Sequence, residues 1–528
     1  MKGAEVLLNS LAASGVDACF MNPGTSEMHL VASLDSVTAV RAILALFEGV
    51  VTGAADGFGR MADRPAATVL HLGPGLANGL ANLHNARRAK SPVVNLVGDH
   101  ASYHKRFDPP LESDIESLAR PVSGWYRRTR RPEDIDLDVR DAVSASLGPP
   151  RQVATLVVGA DASWLEAGPP RARAAREELP RPLGRPSQVS DEVLASAAAV
   201  LRSGEPAALL LGGSALREPG LVAASRICEH AGAALLAEPL PGRLERGAGL
   251  PAPQRLAYFG EIAMAQMAGL EHLVLVDASA PVSPFAYPDR PSDLVPQGCQ
   301  VHVLAGDRND AVGALEALAE LVGAPLGASR VVVASRPEFP LGPLTPESLA
   351  AALGALLPEN AIVSDETITS GIYLPGATAG APRHDLLSLS GNAIGQGLPL
   401  AIGAAVACPD RPVLALEADG SAMYTIQALW TQAREELNIT NVIFDNGSYA
   451  ILNIELARVG AGATLPGPVA RSMLELDRPA IDFVAISEGL GVPASRVTTA
   501  EAFTKALSQA FAEAGPHLIH ALLPRDGH

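Results

Sequence analysis

Cysteine is scarce in this chain: four residues in 528, Cys19, Cys228, Cys299 and Cys408, far apart and with no Cys-x-x-Cys. That spacing suggests neither a zinc site nor a disulfide framework. Reduced thiols and a cytoplasmic location are the expectation. Long apolar runs are missing as well, so no bilayer-spanning segment is expected. The first helix candidate, Ala4 to Ala13, contains Glu5 and Asn9, and Asp17 follows, which argues against a secretory h-region. Positive charge is in deficit. Lys and Arg number 40 against 57 Asp and Glu, a formal net charge of −17, and this speaks against nucleic-acid binding. The acidity is dispersed and serves solubility. Finally, no Gly-x-Gly-x-x-Gly follows the strand-like run Pro206–Leu211; its Gly212-Gly213-Ser214 reads as a structural turn before it reads as a nucleotide site.

What is present is material for large cores, with 48% hydrophobic residues. A chain of this length holds about three domains, because single cores stop growing near 250–300 residues. Two composition shifts mark the divisions. Residues 159–188 are rich in Pro, Arg and Ala, and 326–346 separate strand-like sequence from a helix near Glu347. The segments 1–165, 187–325 and 345–528 each alternate short Val/Leu/Ala runs with amphipathic stretches. That alternation predicts an α/β protein of three doubly wound, parallel-sheet domains.

Chemistry concentrates near the C-terminal end. Pro412-Val413-Leu414-Ala415-Leu416 leads into Glu417-Ala418-Asp419-Gly420-Ser421-Ala422, and Asn441-Val442-Ile443-Phe444 leads into Asp445-Asn446-Gly447-Ser448-Tyr449. Between them Ala422, Ile426, Leu429, Trp430, Ala433 and Leu437 recur at helical spacing, so 422–437 reads as a helix joining two strands. A right-handed crossover makes such strands parallel and brings both loops to the carboxyl edge of one sheet. Asp419 and Asn446 then face one another. A carboxylate, an amide oxygen and a loop carbonyl, here assigned to Ser448, are hard donors that suit octahedral Mg²⁺ together with diphosphate oxygens. Gly420, Ser421 and Ala422 offer helix-start N–H groups to the same anion.

This pair of loops resembles the Gly-Asp-Gly … Asn-Asn diphosphate motif of thiamine diphosphate (ThDP) enzymes, with Ala418 for the first Gly and Asp445 for the first Asn. Three further stretches continue the likeness: Met21-Asn22-Pro23-Gly24-Thr25-Ser26-Glu27, the Glu48 segment with Ala55-Asp56-Gly57, and Leu70-His71-Leu72-Gly73-Pro74-Gly75. They stand in the order seen in ThDP-dependent decarboxylases and acetolactate synthases. The resemblance covers essentially the whole chain. It implies a pyrimidine-binding domain, a middle Rossmann-like domain and a diphosphate-binding domain, and local wording is nearest to benzoylformate decarboxylase.

Individual roles follow from that resemblance. Glu48, after strand-like Arg41–Leu46, is the carboxylate against the aminopyrimidine ring, which promotes removal of the C2 proton. Ile394, in Gly391-Asn392-Ala393-Ile394-Gly395, is the apolar wedge beneath the cofactor. The carbonyl of Asn392 accepts from the 4′-amino group, and Thr369 bonds a phosphate oxygen. His71 moves protons to and from the covalent adduct. Thr25 and Ser26 fall where the family places a substrate-contacting Ser, and which of the two points inward is open. His100 and His104 either line the entrance or stand in solvent. Because the two cofactor-binding domains come from different subunits in this family, the resemblance implies an obligate homodimer, with a homotetramer expected.

The implied reaction is ThDP- and Mg²⁺-dependent decarboxylation of a 2-oxo acid, with the resulting enamine protonated or transferred to an aldehyde or ketone. Acetolactate synthesis from pyruvate is the alternative. A degenerate, non-catalytic ThDP-fold protein, motivated by Ala418 and Asp445, is a third reading. Departures shape the choice. The chain has no adjacent histidines. It reads Pro110-Leu111-Glu112-Ser113 where acetolactate synthases carry Phe-Gln-Glu, and it lacks their Arg-Phe-Asp-Asp-Arg signature, so FAD is not expected. The middle-domain stretch 276–285 supplies no second active-site His.

Overall fold

The computed structural model describes residues 1–167, 184–459 and 467–524; positions 168–183 of the Pro/Arg/Ala-rich 159–188 segment lie outside the described residues. The first sheet takes β1 (Ala18–Asn22), β2 (Arg41–Leu44), β3 (Ala66–Leu70), β4 (Val93–Asp99), β5 (Trp125–Thr129) and β6 (Val153–Gly159). Their order is β2-β1-β3-β4-β6-β5, with every pair parallel. Every residue of β3 and β4 is buried. Helices on both faces cover such a sheet, which is why its strands read as unbroken apolar runs.

The middle segment contributes β7 (Ala207–Leu211), β8 (Ala234–Ala237), β9 (Leu244–Arg246), β10 (Gln254–Arg255), β11 (His272–Val276) and β12 (Gln300–Ala305). Five of these form a parallel sheet, β10-β8-β7-β11-β12. The last segment supplies β13 (Ala361–Glu366), β14 (His384–Ser388), β15 (Val413–Ala418), β16 (Ile439–Asp445), β17 (Ala494–Val497) and β18 (His517–Leu522). The third sheet runs β17-β18-β16-β15-β13-β14-β9.

Two details differ from the sequence reading. β9 leaves the middle segment and pairs antiparallel with β14, giving a single antiparallel edge strand on an otherwise parallel sheet. Charge helps to hold it there, because Arg243, immediately before β9, binds the buried Asp385 of β14. The helix expected over 422–437 is broken into Asp419–Thr425 and Ala428–Arg434. At the break, the Thr425 hydroxyl donates to Gly395 O (3.0 Å).

The first and third domains are welded by the Glu48–Ala62 and Gly397–Ala407 helices. Their backbones approach closely enough that a Cβ on Gly403 would lie 1.8 Å from Ala54 O, and one on Gly57 2.0 Å from Leu400 O. Arg60 closes the junction. Its guanidinium pairs with Asp56 (2.7 Å) and donates to the carbonyls of Gly242 (3.0 Å) and Ser388 (2.8 Å), so one side chain ties all three segments together.

Candidate active site

On the third sheet, β15 ends at Ala418 and Asp419 opens the next helix, while β16 ends at Asp445 and turns through 446–449. Both loops reach the same carboxyl edge, as the crossover requires. Asp419 is 2% exposed. Its Oδ1 accepts from Gly420 N and its Oδ2 from Gly447 N, each at 2.8 Å. The Gly420 N–H is therefore already taken by the adjoining carboxylate, and Ser421 Oγ turns inward to the buried Glu366. Asn446 Oδ1 accepts from Ser448 N (3.0 Å), and Asn446 Nδ2 donates to Ser370 Oγ (3.4 Å). That contact brings the 367–370 loop, which carries Thr369, against Asn446.

Burial, and after it the neighbouring Asp445 carboxylate, push the Asp419 pKa up. A divalent cation would relieve both costs. Among the described residues no group of three or more His, Cys, Asp or Glu side chains is arranged for a metal. The ligands expected from the sequence, Asp419, Asn446 and the Ser448 carbonyl, would be different in kind: one carboxylate, one amide oxygen and a backbone carbonyl. Such a hard, incomplete set fits Mg²⁺ that draws its remaining ligands from a diphosphate.

The Asn392–Ile394 loop is set by contacts from two directions. Glu366, at the end of β13, accepts from the backbone N–H groups of Gly395 (2.6 Å), Gln396 (2.8 Å) and Gly397 (2.5 Å). Those are orphan donors at a helix start, and a carboxylate suits them. Burial nevertheless pushes the Glu366 pKa up to about 7. From the first domain, Asn82 donates to Gly395 O (3.2 Å) and Asn85 to Ala393 O (2.8 Å). Asn392 is exposed with φ +58°, and Ile394 is half-buried.

On the first sheet, Glu48 is the opening residue of its helix and 7% exposed, with Oε2 accepting from Asn78 Nδ2 (3.0 Å). His71 ends the β3 connection. Its Nδ1 lies 2.8 Å from Glu27 Oε2, which also accepts from Gly24 N (2.7 Å). The packing is tight: a Cβ on Gly24 would fall 2.2 Å from His71 Nδ1, and one on Gly98 1.6 Å from Glu27 Oε1. Glu27 Oε1 is buried with no hydrogen-bond partner. Burial raises the Glu27 pKa, against the lowering effect of Gly24 N–H and His71. Thr25 is exposed and Ser26 half-buried. His100 stacks edge-on to His104 (centroids 5.7 Å), its Nε2 buried without a partner; burial lowers its pKa, with Glu112 opposing.

Sequence reasoning missed Glu27, Glu366 and Ser370 as site-shaping residues. Glu27 had a faint signal, since it closes the Pro-Gly-Thr-Ser-Glu word. The Glu48 and Asp419 clusters form no hydrogen bond with each other among the described residues. Around the first, Met28, Leu46, Tyr103, Phe107 and Leu111 are exposed; around the second, Ile372, Tyr373, Met423, Tyr424 and Leu452. The Gly212-Gly213-Ser214 turn of the middle domain is occupied from within. Asp277 Oδ2 accepts from Ser214 N (2.9 Å) and Oγ (3.2 Å), and Asp277 Oδ1 pairs with Lys90 (2.8 Å).

Parallel sheets that gather loop carboxylates, amides and helix starts at their carboxyl edges are the architecture of enzymes that bind phosphorylated cofactors. The N-terminal TPP binding domain of thiamine pyrophosphate enzymes matches residues 1–118, and their C-terminal TPP binding domain matches residues 375–521. The chain is 57% identical over 524 residues, 99% of each protein, to a Mycobacterium tuberculosis protein named "Putative acetolactate synthase large subunit IlvX". It is 31% identical over 548 residues, 96% of each, to benzoylformate decarboxylase of Pseudomonas aeruginosa. The solved ThDP-dependent 4-hydroxybenzoylformate decarboxylase of Rhodococcus jostii superposes with a TM-score of 0.86 over all of both chains at 25% identity. The chain belongs to the thiamine pyrophosphate enzymes.

Proposed function

We propose that this ThDP enzyme uses Mg²⁺ to decarboxylate a 2-oxo acid, then either releases the aldehyde or joins the acyl unit to an aldehyde or ketone acceptor. Bound ThDP supplies the electron sink that the loss of CO₂ requires. Asp419, Asn446 and the Ser448 carbonyl would hold the metal, with Gly420, Ser421, Ala422 and Thr369 around the diphosphate. Glu48 would hold a proton at the aminopyrimidine, Ile394 would wedge the cofactor and Asn392 O would accept from its amino group. Domain limits of 1–165, 187–325 and 345–528, a homodimer or homotetramer and a cytoplasmic location belong to the same proposal. The exposed apolar side chains at both carboxyl edges support the assembly, because patches of that kind mark interaction sites. No helix among the described residues is long and apolar enough to cross a membrane.

The observation that carries this reading is the His71–Glu27 pair. Glu27 engages Nδ1, so His71 would meet substrate through Nε2, its ring oriented for proton transfer. Thr25 or Ser26 would contact the substrate beside it. Acetolactate synthesis from pyruvate is the second reading, favoured by the 57% identical relative bearing that name. Against it stand Leu111 in the Phe-Gln-Glu position and the Asp277-filled turn, which leaves the middle domain poorly suited to an FAD diphosphate.

The test is product analysis of the purified protein with ThDP, Mg²⁺ and a panel of aliphatic and aromatic 2-oxo acids, with and without aldehyde acceptors. CO₂ release from several donors is expected, falling roughly 10²–10⁴-fold in His71→Ala while ThDP affinity is kept. Stoichiometric flavin with pyruvate as sole donor and acetolactate as sole product would establish the second reading instead.

A further inference from the structure

Asp445 stands where the diphosphate motif of this family has Asn, and the structure places a partner beneath it. His520, on β18, is 1% exposed and puts Nε2 2.7 Å from Asp445 Oδ2. On its other side Arg496 Nε donates to His520 Nδ1 (3.4 Å), and Asp482 holds Arg496 (2.7 Å). Arginine can only donate. Nδ1 is therefore the acceptor, and the ring proton sits on Nε2, where Asp445 receives it. Phe483 packs edge-on against the imidazole (5.2 Å, 72°) and fixes its plane. The other oxygen, Asp445 Oδ1, accepts from Gly447 N (2.9 Å), the same N–H that reaches Asp419 Oδ2. Both Asp445 oxygens are thereby engaged.

We infer that His520 is a positioning residue of the cofactor clamp, and that Asp445 and His520 act as one unit replacing the family's Asn. The unit rests on the ThDP–Mg²⁺ reading above. His520 holds Asp445, Asp445 holds the Gly447 N–H, and that N–H sets both the Asp419 carboxylate and the turn that presents Asn446. A change at His520, distant in sequence from either ligand, is transmitted to both. Groups that orient metal ligands in this way are typically worth 10–100-fold in affinity.

Donor and acceptor logic makes the unit testable. With Asp445→Asn alone, an amide that still accepts from Gly447 N–H turns its NH₂ toward the protonated Nε2, and two donors collide. Adding His520→Glu supplies an acceptor for that NH₂ and a partner for Arg496. Calorimetric titration with ThDP at fixed Mg²⁺ should therefore show roughly 10–100-fold weaker binding for Asp445→Asn and for His520→Leu. His520→Gln, which keeps a donor near Nε2, and the Asp445→Asn/His520→Glu pair should bind within about 3-fold of wild type. Thermal unfolding of each variant identifies any loss that is merely loss of fold. Asp445→Asn and His520→Leu variants that bind like wild type, or a double variant that binds no better than Asp445→Asn alone, would overturn the inference. Failure of the wild type itself to bind ThDP would instead overturn the metal and cofactor assignment.

Discussion

Glu48 is a carboxylate at a helix start, a common place for an acid, yet it is buried and held by Asn78 rather than by its own helix's N–H groups. That arrangement serves an acid that must exchange a proton with a ligand. In Glu48→Gln the volume and the Asn78 contact survive, but the amide cannot protonate a ring nitrogen. Cofactor binding should persist while C2–H exchange slows by roughly 10²–10⁴-fold. Proton–deuterium exchange followed by NMR is the measurement, and a wild-type rate would return Glu48 to the status of a structural acid. Glu27 shows the same economy. Its carboxylate orients His71 through one oxygen and leaves the other buried and unpaired, a costly state that only a tightly packed pocket maintains.

At the level of elements, β14 is the seam between the third sheet and the inserted β9. His384 opens it, 4% exposed, its Nδ1 bonded to Pro382 O (2.7 Å). Burial, with the nearby Arg246 guanidinium adding to it, pushes the His384 pKa down to about 4, from an ordinary 6.5. The unfolded chain thus binds a proton that the folded chain refuses between those values. Stability is complete above pH 6.5 and declines as pH falls toward 4. The linkage relation gives a loss of about 2 kcal/mol between pH 7.5 and 5.0 from this group. Urea unfolding at the two pH values should show that extra acid sensitivity in the wild type and not in His384→Leu; identical pH dependence would mean that the ring does not titrate as described.

For the whole molecule, Arg60 is the keystone, since its partners lie in all three segments: Asp56, Gly242 O and Ser388 O. Asp56 also receives Gln396 Nε2 from the third domain (2.6 Å). Removing the cation leaves a buried carboxylate without its counter-charge, which costs about 3–5 kcal/mol. Arg60→Met should lower the midpoint of unfolding strongly, and Asp56→Asn in the same chain should recover part of the loss. If differential scanning calorimetry finds the Arg60→Met transition unmoved, the three segments are held together without it, by the helix crossing at Gly57 and Gly403, the β9–β14 pairing and the Lys90–Asp277 pair.

Much of this protein could be read along the chain. Apolar runs such as β3 and β4 declare a covered parallel sheet because every side chain in them must be buried. Asp419 and Asn446 declared themselves because a single crossover fixes where two loops meet. Glu48 and His71 did so only through family wording, since a lone helix-start acid or a strand-end histidine carries no local pattern. The remaining features depend on which strands become neighbours. His71 finds Glu27 across 44 residues, and His520 finds Asp445 across 75. Glu366 meets the helix start at Gly395–Gly397 only because β13 ends beside it, and β9 joins the third sheet by an edge pairing that no periodicity encodes. Sequence by itself determined the α/β class, buried strands such as β3 and β4, and the meeting of the Asp419 and Asn446 loops at one sheet edge, because burial and crossover geometry are local or nearly so. The partners that orient the candidate catalytic groups were decided by tertiary structure alone, because a hydrogen bond between distant residues exists only once strand order has brought them together.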